Sequence, residues 1–233
     1  MDISHEIAAI AAETLPADLA IQKYKELCNS LVGSQLADQA QTLLDHLITG
    51  NVPKTVTSPS LNYLTEEIKK FKSNDELKSL CRYGLEKFRQ FPNAFDRAEA
   101  NLKGGLADLY IDEDEFLKAA SVLAEIDLER GSFDAVYKGT INVRIAELFA
   151  DDSIGDVHKA DTFIKKARQH MREVTDHAVS LRYVVIELFS FFFFLFSFFF
   201  FLFVLRRVFL LCFCCVMLLT CSFFHSFHLC RLY

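Results

Sequence analysis

The sequence predicts an all-α protein, a right-handed superhelical array of antiparallel helix pairs of the TPR/HEAT-like solenoid kind, followed by a Phe-rich hydrophobic low-complexity tail. Up to residue 187 the apolar residues recur every third or fourth position and never alternate steadily, which is the helical period. Short polar joints separate the helical stretches, as they do between antiparallel neighbours. Two stretches 39 residues apart repeat each other, which indicates stacked helical units.

The first half of the chain predicts three helices in order. The first ends at Gly50, with Pro53 following, because glycine and proline are common just past a helix end. Ser58-Pro59 predicts the start of the second, since serine caps a helix and proline suits its first position. Asn74-Asp75-Glu76 predicts the start of the third, and Phe91-Pro92-Asn93 ends it. The apolar faces are Leu36, Ala40, Leu43, Leu44 and Leu47; Leu61, Leu64, Ile68 and Phe71; and Leu77, Leu80, Leu85 and Phe88.

The second half contains the internal repeat. Leu106–Tyr110 (Leu-Ala-Asp-Leu-Tyr) is matched by Ile145–Phe149 (Ile-Ala-Glu-Leu-Phe). Each copy runs into an acidic turn, Asp112–Asp114 or Asp151–Asp152, and then into a second helix. A small alanine at the contact position lets that helix approach the first, while the large aromatic fills the gap between pairs. The contact alanines are Ala119 and Ala160.

Charge and cysteine content limit the class of protein. Three of the chain's 25 basic residues lie after residue 187, which leaves 22 against 31 acidic residues. An acidic chain without a basic block argues against nucleic acid as a partner, because Lys and Arg contacts to phosphate dominate that affinity. Residues 1–187 hold only Cys28 and Cys81, as expected of reduced thiols, and the acidic N-terminus lacks a secretory signal. We expect a location in the cytoplasm and nucleus.

The predicted organisation is a helical-repeat domain over residues 1–187 and a tail over residues 188–233. Leu188–Leu205 contains no charged residue and is long enough to be a transmembrane segment. Phenylalanine dominates the tail, however, and neither alanine nor glycine occurs in it. Phe, Leu, Ser, Cys and Val share T-rich codons, so a gene-model artefact that begins at a missed splice site near Val184 or Val185 is the favoured interpretation. A membrane segment over residues 188–224 is the alternative.

No catalytic, cofactor-binding or metal-ligating residue is predicted, and we expect no enzyme. Gly104-Gly105 stands alone in a helical pattern and indicates a close helix contact rather than a phosphate loop. His158, His170 and His177 lack the spacing of a ligand set or triad. The acidic run Asp112–Glu115 lacks the alternating ligands and glycine of an EF-hand and predicts a solvated turn.

The tail also contains residues with metal-ligand chemistry, but their spacing matches no zinc motif. A segment biased towards cysteine produces such a cluster by composition alone. The residues are Cys212, Cys214, Cys215, Cys221, His225 and His228.

The repeat resembles the N-terminal helical array of the COP9 signalosome subunit 4 family. The resemblance is carried by residues 106–131, 141–152 and 160–167, and by Leu181–Val184 at the start of the family's next helix. The proteasome regulatory lid has a paralogous subunit with similar repeats. The Leu-Glu-x-Gly element that ends at Gly131 favours the signalosome.

The resemblance implies a non-catalytic scaffold subunit that supports protein deneddylation of cullin-RING ubiquitin ligases. Its implied partners are the other signalosome subunits and, through the complex, those ligases; no cofactor is implied. The family's C-terminal PCI domain is missing, so we expect that the chain as written does not assemble normally. The alternatives are a PCI-type subunit of the proteasome lid and a membrane-anchored helical adaptor.

Overall fold

The computed structural model describes residues 3–12, 15–50, 52–92, 94–130 and 133–188, together with 191, 192, 194, 195, 198 and 199. The chain divides into two compact units, Met1–Tyr183 and Val184–Tyr233. The described residues are all helix, turn or coil, which confirms the predicted all-α fold. The helices of the first unit are α1 (Ile3–Ala12), α2 (Ala17–Gly33), α3 (Ala37–Thr49), α4 (Lys54–Glu67), a 3-10 turn (Ile68–Lys70), α5 (Asn74–Arg89), α6 (Asp96–Asp112), α7 (Phe116–Ala124), α8 (Ala135–Ala150) and α9 (Val157–Arg168). Residues 177–183 are also helical.

The second unit is described only in part. Residues 184–188 are helical, as are the six described residues that follow them. Within the described positions, no helix has the length and apolarity needed to cross a membrane. Most of the phenylalanine-rich tail and all of its cysteines and histidines lie outside the described residues, so both interpretations of the tail stay predictions. The domain boundary after residue 187 is a prediction as well.

The helices of the first unit alternate between two layers. In the first layer α2 packs on α4, and α4 packs on α6; in the second layer α1 packs on α3, and α3 packs on α5. An ion pair between Asp108 of α6 and Arg144 of α8 extends the first layer to α8. α7 packs on α6 and α8, and α9 packs on α8. This alternation of paired helices confirms the predicted helical-repeat architecture, whereas the right-handed sense of the superhelix stays a prediction.

Helix α6 lies at the centre of the unit, in contact with α4, α5 and α7. Five small residues, Ala98, Ala100, Gly104, Gly105 and Ala107, are buried on it and leave room for these neighbours. The buried Asn101 amide donates to the Thr65 hydroxyl at 3.2 Å. That contact satisfies a polar group that would otherwise destabilise the core.

The two copies of the repeat occupy equivalent places. Leu106–Tyr110 lies in α6 and Ile145–Phe149 lies in α8, and the second helices of the two pairs are α7 and α9. The contact alanines, Ala119 and Ala160, are both buried. The predicted pair of helix–turn–helix units is therefore confirmed.

The acidic turn after α6 is solvated, as predicted for Asp112–Glu115: Asp112, Glu113 and Asp114 are exposed and Glu115 is half-buried. It also closes the end of the helix. Asp114 has a φ of 58°, a left-handed conformation that aspartate tolerates better than most residues. The Glu115 amide then donates to the Tyr110 carbonyl at 2.8 Å and closes the helix end. Glu113 pairs with Lys78 of α5 at 2.5 Å. The turn is acidic partly because a neighbouring helix supplies the cation.

The second predicted helix begins before Ser58-Pro59, so that prediction is wrong. α4 begins at Lys54 with Pro53 as its N-cap, and Pro59 lies inside the helix. The Thr57 hydroxyl donates to the Pro53 carbonyl at 3.2 Å and strengthens this earlier start. Pro59 lacks an N–H, which removes one backbone hydrogen bond near the beginning of α4. The starting point is therefore set by Pro53.

The close helix contact expected at Gly104-Gly105 lies mainly at Gly84. A Cβ added at Gly105 would meet Lys69 Cγ at 3.4 Å, which is an ordinary packing distance. A Cβ added at Gly84 would lie 2.5 Å from Cδ1 of Leu102. Leu102 is fully buried, so it cannot swing aside. Gly84 is the position at which α5 and α6 depend on the missing side chain.

We predict opposite effects for Gly84→Ala and Gly33→Ala. Alanine favours a helix over glycine by about 1 kcal/mol, so Gly33→Ala, which meets no atom within 4 Å, should raise the free energy of unfolding by up to about that amount. Gly84→Ala should lower it by about 1–2 kcal/mol, because overpacking against Leu102 outweighs the helix preference. Urea unfolding followed by circular dichroism measures both. Equal stabilisation by the two substitutions would contradict the close contact.

Candidate interaction surface

Acid–arginine pairs join successive helices of the first layer. Asp108 of α6 pairs with Arg144 of α8. One repeat later, Glu147 of α8 pairs with Arg182 of the 177–183 segment at 3.7 Å. The two acids lie at matching positions of the repeat and the two arginines at nearly matching ones. The same electrostatic contact therefore recurs between neighbouring repeats.

These pairs are half-buried, which sets their strength. The side chains of Asp108 and Arg144 are 48% and 32% exposed, so water screens much of their attraction. Burial raises the pKa of Glu147, and the positive charges of Arg182 and Arg144 offset part of that rise. The pairs therefore add little to stability.

A lysine, an acid and an aromatic ring form a second repeated unit at the start of each second helix. In the first copy Glu115 binds Lys118 at 2.6 Å, and the Lys118 ammonium lies 5.8 Å from the Tyr110 ring. The hydrogen bond from Lys118 lowers the pKa of Glu115. Two lysines, Lys78 and Lys118, thus flank one tyrosine ring at distances suited to cation–π attraction.

In the second copy Asp156 caps α9 and binds Lys159 at 3.1 Å, and the Lys159 ammonium lies 5.1 Å from the Phe149 ring. The hydrogen bond that the Lys159 backbone amide donates lowers the pKa of Asp156. The corresponding lysines, Lys118 and Lys159, stand 41 residues apart. The second copy therefore keeps the aromatic support although a phenylalanine replaces the tyrosine.

Helix α7 has nine residues, against 16 in α5 and 12 in α9. It ends early, and grooves open on both of its sides. Two adjoining cavities of about 340 and 370 Å³ lie towards α5, and one of about 380 Å³ lies towards α9. Glu125, the residue that follows α7, lines all three.

Lys103 holds the end of α7 in place from within the neighbouring helix. The residue is 9% exposed, and its ammonium donates to the backbone carbonyl of Glu125 at 3.0 Å. It also pairs with Glu99 at 2.8 Å. A positive charge at a helix C-terminus satisfies a free carbonyl and offsets the helix dipole. A short helix is thereby ended without a capping glycine.

The residues considered for chemistry in the sequence are dispersed. His158 lies in α9, His170 in the turn that follows, and His177 at the start of the next helical segment. Within the part of the chain that the structure describes, no group of three or more His, Cys, Asp or Glu side chains could hold a metal ion. Burial raises the pKa of Cys28 and of Cys81 to about 12, so both thiols are neutral at physiological pH.

The sequence did not reveal Lys103 or the acid–arginine pairs. Lys103 stands at a core-facing position of α6, where the pattern alone predicts an apolar residue. The arginine pairs could have been found, because Asp108 and Glu147 match within the repeat and Arg144 and Arg182 nearly do. The signal for these pairs is that charged residues, and not only apolar ones, recur between the two copies of the repeat.

Paired helices, repeated charge contacts and grooves between second-layer helices define a helical-repeat protein of the kind that presents extended surfaces. No protein-family model matches the chain.

The chain is similar to curated proteins named COP9 signalosome complex subunit 4. It is 28% identical to that of Arabidopsis thaliana over 167 residues, which cover 71% of this chain and 41% of the relative. It is 26% identical to that of Drosophila melanogaster over 168 residues, 70% of this chain and 40% of the relative. For Emericella nidulans (strain FGSC A4) the identity is 22% over 169 residues, again 70% of this chain and 41% of the relative.

The predicted resemblance to the signalosome subunit 4 family is therefore confirmed. The chain spans about two fifths of the length of the curated relatives it matches. Those matches extend over more of this chain than the repeat of α6–α9 alone, since each covers at least 167 residues.

We predict measurable coupling between Asp108 and Arg144. In a double-mutant cycle of Asp108→Ala, Arg144→Ala and the double variant, the coupling free energy should be about 0.5–1 kcal/mol at low salt, as for partly exposed pairs. It should shrink as salt screens the charges. A cycle on Glu67 and Lys70, a pair three residues apart that joins no two layers or repeats, is the matched comparison. No coupling between Asp108 and Arg144 would mean that the contact between α6 and α8 does not depend on this pair.

We predict that Lys103→Met destabilises the protein by about 1–3 kcal/mol, because it leaves the Glu125 carbonyl without its charged donor. Amide hydrogen exchange in the last turn of α7 should accelerate more than exchange in α9. Lys118→Met, which removes an exposed lysine from the start of α7, is the control and should change stability by less than about 1 kcal/mol. Uniform acceleration across all helices would indicate a general loss of stability instead.

Proposed function

We propose that the protein is a non-catalytic scaffold subunit of the COP9 signalosome. The observation that carries the proposal is the match of about 70% of the chain to subunit 4 proteins of a plant, an insect and a fungus. The paired helices and the repeated contacts between them support it, since helical arrays work by presenting surfaces to other proteins. In this role the chain supports protein deneddylation of cullin-RING ubiquitin ligases and contributes no reacting group of its own.

The chemistry of the described residues supports a scaffold rather than an enzyme. The nucleophile type most readily activated in proteins is cysteine, and both described cysteines are buried, with pKa values of about 12. The grooves beside α7 are lined by mixed charges, and Lys103, Glu99 and Glu125 satisfy one another there. The charges within the grooves therefore serve to hold helices together.

The proposed partners are the other signalosome subunits and, through the complex, cullin-RING ligases. The proposed location is the cytoplasm and nucleus. The acid–arginine pairs of the first layer fix the stacking of the repeats, so an arm built from them can keep a partner at a set distance and orientation.

We predict that an antibody against residues 106–131 precipitates signalosome subunits together with the protein from cells that express it. Mass spectrometry of the precipitate identifies the partners. Proteasome-lid subunits in their place would show the alternative function. Recovery of the protein in membranes after an alkaline wash would show a membrane-anchored adaptor.

The chain as written serves as the comparison in the same cells. Because a tagged chain of residues 1–233 spans only about two fifths of the length of the curated relatives, it should precipitate little or none of the complex. A stoichiometric complex on the tagged chain would contradict that expectation while supporting membership of the signalosome.

A further inference from the structure

One short segment reverses the charge of an otherwise acidic chain. Residues 157–172, which are α9 and the turn after it, carry five basic residues and one acidic residue. The rest of residues 1–187 carries 17 basic and 30 acidic residues. The basic residues, which we call the α9 basic surface, are Lys159, Lys165, Lys166, Arg168 and Arg172.

The repeat shows that the fold does not require these charges. Positions 41 residues earlier, at the end of α7, hold Ala124, Glu125 and Asp127 where α9 has Lys165, Lys166 and Arg168. Both helices bury the same small contact residue and pack on the preceding helix in the same order. Two equivalent helices thus end with opposite charges. The basic residues at the end of α9 therefore belong to its exposed surface and are not needed for its packing on α8.

Aromatic rings position two of these lysines. Phe149 and Phe163 stack with their centroids 5.9 Å apart. Lys159 lies 5.1 Å from the Phe149 ring, and Lys166 lies 4.7 Å from the Phe163 ring. The rings hold the ammonium groups by cation–π attraction and leave their N–H donors open to a carboxylate.

Internal acids satisfy only part of the surface. Lys165 binds Asp161 at 2.6 Å, and Lys159 binds Asp156 at 3.1 Å. Among the described residues, no carboxylate forms an ion pair with Lys166 or Arg172, which are both exposed. These two cations are therefore available to a partner.

We propose that the α9 basic surface binds an acidic segment of a partner protein. An acidic segment fits better than a nucleic acid, because the Phe149 ring under Lys159 is 4% exposed and cannot stack on a base. The groove between α7 and α9 has Lys166 on one wall and the carboxylates of Glu125 and Asp127 on another. These carboxylates keep an acidic segment on the outward side of α9.

The test measures binding of the full chain to a fluorescent 12-residue peptide of glutamate and aspartate, with a glutamine peptide of equal length as the neutral probe. Lys166→Glu with Arg172→Glu changes the charge of the surface from +4 to zero. Lys54→Glu with Arg89→Glu makes the same charge change at exposed residues outside α9 and is the matched control. A 12-nucleotide single-stranded RNA is the third probe, and thermal unfolding of each variant is recorded.

The acidic peptide should bind the unaltered chain, and the α9 variant should bind it at least about tenfold more weakly at 50 mM salt, since two attractive charge contacts become repulsive. The control variant should stay within about twofold, and binding should weaken as salt rises. Equal losses in both variants, tighter binding of RNA, or equal binding of the glutamine peptide would each overturn the proposal. So would a lower melting temperature of the α9 variant without weaker binding, which would assign the lysines to the helix dipole alone.

Discussion

The burial of α6 between α4, α5 and α7 is the contact on which the rest of the structure depends. Close approach on these sides is achieved by small residues, chiefly Ala98, Ala100, Ala107 and Gly105 on α6 itself, and by Gly84 on α5. Dense packing of this kind tolerates little added volume. Because α6 is packed tightly on these sides, Asp108 and Tyr110 on its last turns are held in position. Asp108 then pairs with Arg144 of α8, and the Tyr110 ring lies beside Lys118 of α7.

From α6 onward the architecture grows by repetition of local contacts. Each pair uses a buried alanine between its helices and a lysine over an aromatic ring at the start of its second helix. Successive first-layer helices add an acid–arginine pair. Such contacts involve only neighbours, so the surface charge of one pair can change without disturbing the next. Because of that independence, an acidic residue, Glu125, can follow α7, whereas Lys165 and Lys166 occupy the last turn of α9.

Much of this fold could be predicted from the sequence. Apolar spacing located the buried faces of α3 and α5, and the repeat located α6–α9, because burial imposes the helical period directly on the residues. The start of α4 was missed because two prolines competed for one boundary, and the Thr57 hydroxyl that bonds to the Pro53 carbonyl leaves no mark in the apolar spacing. Lys103 was missed because a buried cation breaks the apolar pattern and depends on a carbonyl 22 residues away. The ion pair between Glu113 of the acidic turn and Lys78 was missed for the same reason, since Lys78 belongs to another helix.

The shortness of α7 has a mechanical consequence. It packs on α6 and α8 and leaves open grooves towards α5 and α9. Those grooves can widen or narrow by small rigid-body tilts of one pair against the next, with little apolar surface exposed. The acid–arginine pairs lie on the opposite layer and would act as the pivot. We therefore expect the array to bend more easily by opening and closing these grooves than by separating the helices that the acid–arginine pairs join.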